Sequence, residues 1–166
     1  KIADRLRSRA EKSIPRCDII VLSDYLKGVL GEAICREIID LADRHDKAVA
    51  IDPKGYDYRK YRGAAVIKPN QQEAQTASGI TRSDGDSLLR IAQKLKQQVN
   101  CKSLVMTRGA DGVFVYINRS HKTHIPALAY FVYGVTGAGD TFMAAMSLAL
   151  ASGASITDAA RLGNYA

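Results

Sequence analysis

Apolar runs alternate with helix-period patterns along the chain. Ile2, Leu6, Ala10 and Ile14 recur every four positions, predicting an amphipathic helix over residues 1–16 with a solvated face. The apolar, β-branched run between Asp18 and Ser23 predicts a strand. A helix follows from about Gly31 to Arg44 and is expected to bury Ile34, Ile38, Ile39 and Leu41. A second strand, Ala48–Asp52, is stopped by Pro53 and Gly55. The tyrosine-rich loop Tyr56–Tyr61 leads to a third strand, Ala64–Lys68, and Pro69-Asn70 opens a short helix carrying Glu73. Leu88, Ile91, Ala92, Leu95 and Val99 share one stripe of a helix from about Asp84 to Val99, with Ser83 or Asp84 as its cap. Ser103–Thr107 reads as a fourth buried strand. After the turn Arg108–Gly112, Val113–Ile117 pairs as a hairpin with a strand near His124. Small apolar residues fill a helix over Ala138–Ala151, and a last helix starts at Ile156.

Strands alternating with helices predict an α/β fold with a mostly parallel central sheet covered on both faces, hence three α/β/α layers. No repeat, low-complexity tract or linker divides residues 1–166, which read as one domain.

Composition narrows the class. An apolar fraction of 46% excludes a disordered or collagen-like chain. No apolar run reaches the roughly 18 residues of a membrane span, so no membrane partner is expected. The chain starts at Lys1 without a signal-peptide pattern. Cys17, Cys35 and Cys101 lie far apart with no metal-ligand spacing, as expected of free thiols in a reducing cytoplasm. His121 and His124 fall in a polar stretch and read as surface residues. The net charge of +7 invites a nucleic-acid reading. However, more than half of it sits in residues 1–16, where no aromatics are interleaved for base stacking. An anionic small substrate suits that charge better.

Five polar clusters coincide with the ends of predicted elements: Ser23-Asp24-Tyr25, Asp52-Pro53-Lys54-Gly55, Lys68-Pro69-Asn70 with Glu73, Thr107–Gly112, and Thr136–Thr141. Four follow strands, on the rim where open α/β sheets bind ligands. The fifth opens the long apolar helix. Its Gly137-Ala138-Gly139 run lets backbone N–H groups approach an anion at the positive end of that helix. Asp140 directly behind would repel a phosphate, but it suits the removal of a proton from a hydroxyl attacking that phosphate. No GxxxxGK[ST] is present, and Phe142 stands where GxGxxG needs its third glycine. A P-loop ATPase and an NAD-binding Rossmann domain are both disfavoured.

The stretch Gly134-Val-Thr-Gly-Ala-Gly-Asp140-Thr-Phe-Met-Ala-Ala-Met-Ser147 closely resembles the C-terminal signature of the ribokinase (PfkB) family of sugar kinases. Asn70-Gln-Gln-Glu73 resembles that family's Asn-x-x-Glu motif, and Thr107–Gly112 its nucleotide-phosphate turn. Ser23–Gly28, Ile51–Gly55 and Tyr61–Ala64 are similar to the branch that phosphorylates D-glycero-D-manno-heptose 7-phosphate at C1, a lipopolysaccharide core precursor step. In that branch the kinase domain is often fused to an adenylyltransferase domain.

The resemblance implies a cytoplasmic transferase with a ribokinase-like fold, using ATP and Mg²⁺ on a sugar phosphate. Asp140 would be the catalytic base, with the N–H groups of Gly137, Ala138 and Gly139 holding the transferred phosphoryl group. Asn70 and Glu73 would organise Mg²⁺ through water. Thr107, Gly109 and Gly112 would line the nucleotide phosphates, and Asn164 would lie near the adenine. Charge and position add Lys27, Asp52, Lys54 and Lys68 as contacts to a sugar phosphate. Relatives often carry an acidic residue where this chain has Gly134, so no monovalent-cation ligand is expected there. Family members are roughly twice this length and often dimerise through a β-sheet lid. The 166 residues therefore read as the C-terminal, nucleotide-binding portion, with the N-terminal part and lid missing and little activity expected alone. Another sugar or nucleoside kinase of the family stays open, as does a non-catalytic nucleotide-binding module.

Overall fold

The computed structural model describes residues 2–81, 85–127 and 137–166. Helix α1 (Ile2–Ser13) precedes strand β1 (Ile19–Ser23), helix α2 (Glu32–Arg44) and strand β2 (Ala48–Asp52). Then come β3 (Val66–Ile67), α3 (Gln71–Ser78), α4 (Gly85–Val99) and β4 (Ser103–Thr107). The hairpin β5 (Val113–Tyr116) and β6 (Lys122–Ile125) leads on to α5 (Ala138–Ala151) and α6 (Ile156–Tyr165).

The six strands lie in sequence order, β1 to β4 parallel and β5 and β6 antiparallel. Side-chain alternation divides the sheet between two cores. Leu22, Val49, Ile51, Ile67, Leu104 and Met106 point to the side covered by α2, α3 and α4. Ala50, Val66, Val105, Val113 and Val115 point to the other side, against α5 and α6. The expected three layers are therefore present, with α2, α3 and α4 burying apolar residues on one face of the sheet and α5 and α6 on the other.

Three details differ from the sequence reading. In α2 the buried set is Ile34, Cys35, Ile38, Ile39 and Ala42, while Leu41 is only half-buried, because the stripe runs one position off it. The third strand pairs fully over only two residues, although Ala65 and Lys68 still donate to the Val49 and Ile51 carbonyls at 2.9 and 2.8 Å. The tyrosine-rich loop is partly core: Tyr58 and Tyr61 are fully buried and meet edge to face at 5.8 Å. The expected cap at Ser83 or Asp84 and the residue Gly134 lie outside the described residues.

Candidate active site

The parallel register brings the carboxyl ends of β1 to β4 to one rim. Ser23 pairs with Asp52, and Asn70 bridges to Thr107 just beyond the strands. Backbone bonds tighten this edge, with Asp24 N–H donating to the Asp52 carbonyl at 3.1 Å and Thr107 N–H to the Pro69 carbonyl at 3.1 Å. Four of the polar clusters thus share one edge of the sheet.

The described part of the fifth cluster, from Gly137 to Thr141, meets the same rim, while Thr136 lies outside the described residues. Gly137, at φ +85°, turns the chain into α5, and among the described residues no side chain caps the helix. Thr141 donates to the Gly137 carbonyl through both its N–H, at 2.9 Å, and its hydroxyl, at 3.1 Å. The first-turn N–H groups of this helix therefore carry a partial positive charge, and no described side chain offers them a capping oxygen. Asp140 is exposed in that turn, and its Oδ1 accepts the Tyr25 hydroxyl at 2.9 Å. The carboxylate raises the Tyr25 pKa above its ordinary value, chiefly through that hydrogen bond. Asp140 takes part in no ion pair among the described residues.

Behind this turn lies Lys68, buried, with its Nζ 3.3 Å from Asp52 and 5.9 Å from the Phe142 ring centroid. A methyl group placed on Gly139 would stand 3.5 Å from that Nζ, so the amine lies directly against the glycine run. Burial raises the Asp52 carboxyl above its usual range, although Lys68 and Lys54 oppose the shift. Lys54 forms an ion pair with Glu73, which outweighs burial and raises the lysine pKa.

Asn70 and Glu73 have a local task as well. The Asn70 side chain accepts the Glu73 N–H at 2.8 Å, and Glu73 Oε2 accepts the Asn70 N–H at 2.8 Å, a capping box that starts α3. Among the described residues no group of three or more His, Cys, Asp or Glu could enclose a metal ion. Two oxygen donors at a rim are what a water-coordinated Mg²⁺ shared with nucleotide phosphates requires, so the residues present fit that ion.

A second polar group anchors the loop after β1. Asp24 is 3% exposed, and its carboxylate accepts Lys60 Nζ at 2.5 Å, the Tyr61 hydroxyl at 2.6 Å and the Leu26 N–H at 2.8 Å. Burial opposes its charge, but the bonds from Lys60, Tyr61 and Leu26 prevail and hold the carboxyl below its ordinary value. Sequence reading singled out Asp24 and Tyr61 only as parts of motifs and passed over Lys60. Nothing local marks a lysine 36 residues away as the partner. Nearby, the Tyr58 hydroxyl is buried with no hydrogen-bond partner among the described residues.

The remaining predicted residues lie on the same side. Thr107 ends β4, and Gly109 lies in the short turn Gly109–Asp111. Arg108 secures that turn, bonding Gln71 at 3.0 Å and Asp111 at 3.0 Å. Gly112, at φ +78°, has no room for a side chain: a methyl group would fall 2.6 Å from Ala127 N and 2.7 Å from Pro126 C. Asn164 donates to the Pro126 carbonyl at 2.9 Å, which fixes it beside the exit of β6. Lys27 is exposed on the loop after β1, outside the tight cluster. Asp140, Gly139, Lys68, Asp52, Lys54, Glu73 and Asn70 are thus joined through direct contacts or local turns. Thr107 joins them at the rim, and Gly109, Gly112 and Asn164 flank it.

Solved structures share this architecture. Phosphofructokinase-2 from Escherichia coli in complex with potassium matches with a TM-score of 0.83 at 20% identity, over 98% of this chain and 53% of that one. Arabidopsis thaliana ribokinase complexed with ribose and ATP matches with a TM-score of 0.81 at 19% identity, over 94% and 50%. The fold is therefore ribokinase-like. In sequence, the bifunctional protein HldE of Geobacter sulfurreducens is 42% identical over all of this chain and 33% of its own length. That of Helicobacter hepaticus is 44% identical over 90% of this chain and 31% of its own. The chain spans about a third of the length of these curated relatives. The pfkB family carbohydrate kinase model matches residues 2–166, and the chain belongs to that family.

Proposed function

We propose that this chain is the nucleotide-binding, phosphoryl-transferring portion of a longer ATP-dependent sugar kinase. Its proposed acceptor is D-glycero-D-manno-heptose 7-phosphate, converted at C1 to the 1,7-bisphosphate. The observation that carries the reading is the position of Asp140. It is exposed in an uncapped first helical turn, held by a neutral phenol rather than a basic group, beside Gly139 and the lysine behind it. An acidic residue in a first turn stabilises a helix through its dipole, but that role does not require the carboxylate to stand exposed beside a glycine run on a ligand rim, as a base must. Kinship with proteins named bifunctional protein HldE supports the heptose acceptor over other sugars.

In the reaction the acceptor hydroxyl oxygen bonds to the γ-phosphorus while the bond from that phosphorus to the β–γ bridging oxygen breaks and ADP departs. The hydroxyl proton passes to the Asp140 carboxylate. N–H groups of Gly137, Ala138 and Gly139 receive the charge on the moving phosphoryl oxygens, and Lys68 adds positive charge from behind. Thr107, Gly109 and Gly112 line the donor phosphates, with Asn164 toward the base. Lys54 and Asp52 would contact the acceptor, and Lys27 would reach it from the exposed loop after β1. Asn70 and Glu73 would hold Mg²⁺ through water, and the ion would neutralise phosphate charge when bound.

The test is a panel of heptose 7-phosphate, ribose, fructose and fructose 6-phosphate offered with ATP to the full-length protein. Preferred turnover of the heptose phosphate, lost by a factor of about 10² to 10⁴ in Asp140→Asn, is the expected result. Preference for another sugar would overturn the acceptor, and undiminished turnover in Asp140→Asn would overturn the mechanism.

A further inference from the structure

The loop after β1 sends one side chain across to α5. Tyr25 lies 115 positions before Asp140, yet its hydroxyl donates to Asp140 Oδ1 at 2.9 Å. The residue beside it is among the most firmly held in the site, because Asp24 is fixed by Lys60, Tyr61 and the Leu26 N–H. Its backbone is also tied to β2 through the Asp52 carbonyl. Leu26 takes a left-handed conformation, φ +54°, and completes a rigid turn around Tyr25. The ring itself is 58% exposed, so its packing contributes little to the core.

A carboxylate on an exposed first turn can rotate about its side-chain torsions. A base must instead present one oxygen at a fixed place, since positioning within a few tenths of an ångström governs the rate. A donor on Oδ1 leaves Oδ2 free and restricts its direction.

We propose that Tyr25 is a positioning residue for this reaction, clamping Asp140 through Oδ1 so that Oδ2 meets the acceptor hydroxyl. The proposal rests on the reading of Asp140 as the base. Tyr25 keeps its own proton throughout, and the carboxylate beside it favours that protonated form. The Asp24 group anchors the clamp, which gives the buried ion pair a purpose in the site beyond stability.

A double-mutant cycle on the full-length protein tests this: wild type, Tyr25→Phe, Asp140→Asn and the double variant, each measured for kcat, for KM with both substrates, and for melting temperature. In Tyr25→Phe, kcat is expected to fall about 10-fold, as for loss of one orienting hydrogen bond worth about 1.4 kcal/mol. Both KM values and the melting temperature should stay near wild type. In the Asp140→Asn background the same change should alter kcat by less than about twofold, because the group it acts through is already disabled. Three results would overturn the proposal: an unchanged kcat in Tyr25→Phe, a rise in KM in place of the fall in kcat, or an equal fall in both backgrounds. If Asp140→Asn keeps full turnover, the kinase mechanism itself fails and the clamp with it. An inactive Asp140→Asn beside an unaffected Tyr25→Phe removes the clamp alone.

Discussion

Two glycines in the turn after β4 should respond very differently to alanine. Gly109 and Gly112 both have positive φ, +56° and +78°. Around Gly109 a methyl group would meet no atom of the described residues within 4 Å, so the backbone conformation is what opposes it, at about 1 kcal/mol. At Gly112 the methyl would lie 2.6 Å from Ala127 N and 2.7 Å from Pro126 C, and nearer still to the Ile125 carbonyl oxygen. All three neighbours are backbone, so no side-chain rotation relieves the overlap and the exit of β6 must move. Backbone strain of about 1–3 kcal/mol and overpacking of about 1–3 kcal/mol together give roughly 4 kcal/mol. That is a large share of a domain stability of about 5–15 kcal/mol. For a chain of this size it lowers the melting temperature by roughly 10 °C, against roughly 3 °C for Gly109→Ala. Urea and thermal unfolding of the two variants beside wild type measure the difference. Equal losses in the two, or a loss below about 1 kcal/mol in Gly112→Ala, would refute the packing assigned to this turn.

Two further changes separate folding from chemistry. Asp24→Asn should cost about 2–4 kcal/mol, between a surface and a fully buried pair, because Lys60 is 18% exposed and Asp24 3%. Since the folded carboxyl is held below its unfolded value, its contribution is present above about pH 4 and is lost as pH falls through the folded value. The gap between wild type and variant should therefore close in acid, as pH-dependent denaturation would show; a gap that widens in acid contradicts the pairing. Glu73→Gln should keep the capping box but lose the Lys54 ion pair, at a cost of up to about 1 kcal/mol, while raising the Mg²⁺ concentration needed for half-maximal turnover, whereas Glu73→Ala should lose about 1 kcal/mol more. An unaltered Mg²⁺ requirement in both would remove Glu73 from the metal site.

The elements were legible in sequence because their burial is one-sided or complete. The four-residue spacing in α1, the β-branched runs of β1 and β2, and the stripe of α4 each fix an element without tertiary knowledge. The rim clusters were legible for a related reason, since chain reversal at the ends of parallel strands must be polar. Partner choice was not. Tyr25 with Asp140, Lys60 with Asp24 and Lys68 with Asp52 join loops separated in sequence, and nothing in the local sequence of either member names its partner. The loop Tyr56–Tyr61 shows the same limit: its sequence does not say which tyrosines are buried, and Asp24, far away in the chain, supplies the buried acceptor for the Tyr61 hydroxyl.

The mechanism turns on where the migrating phosphoryl group sits. A crystal structure of the full-length protein with ADP, aluminium fluoride, Mg²⁺ and heptose 7-phosphate would place a mimic of that group directly. The fluorides should lie within hydrogen-bond reach, about 2.7–3.1 Å, of the N–H groups of Gly137 to Gly139, with an Asp140 oxygen at a similar distance from the acceptor hydroxyl. A mimic bound elsewhere on the rim, or an Asp140 carboxylate turned away from that hydroxyl, would contradict it.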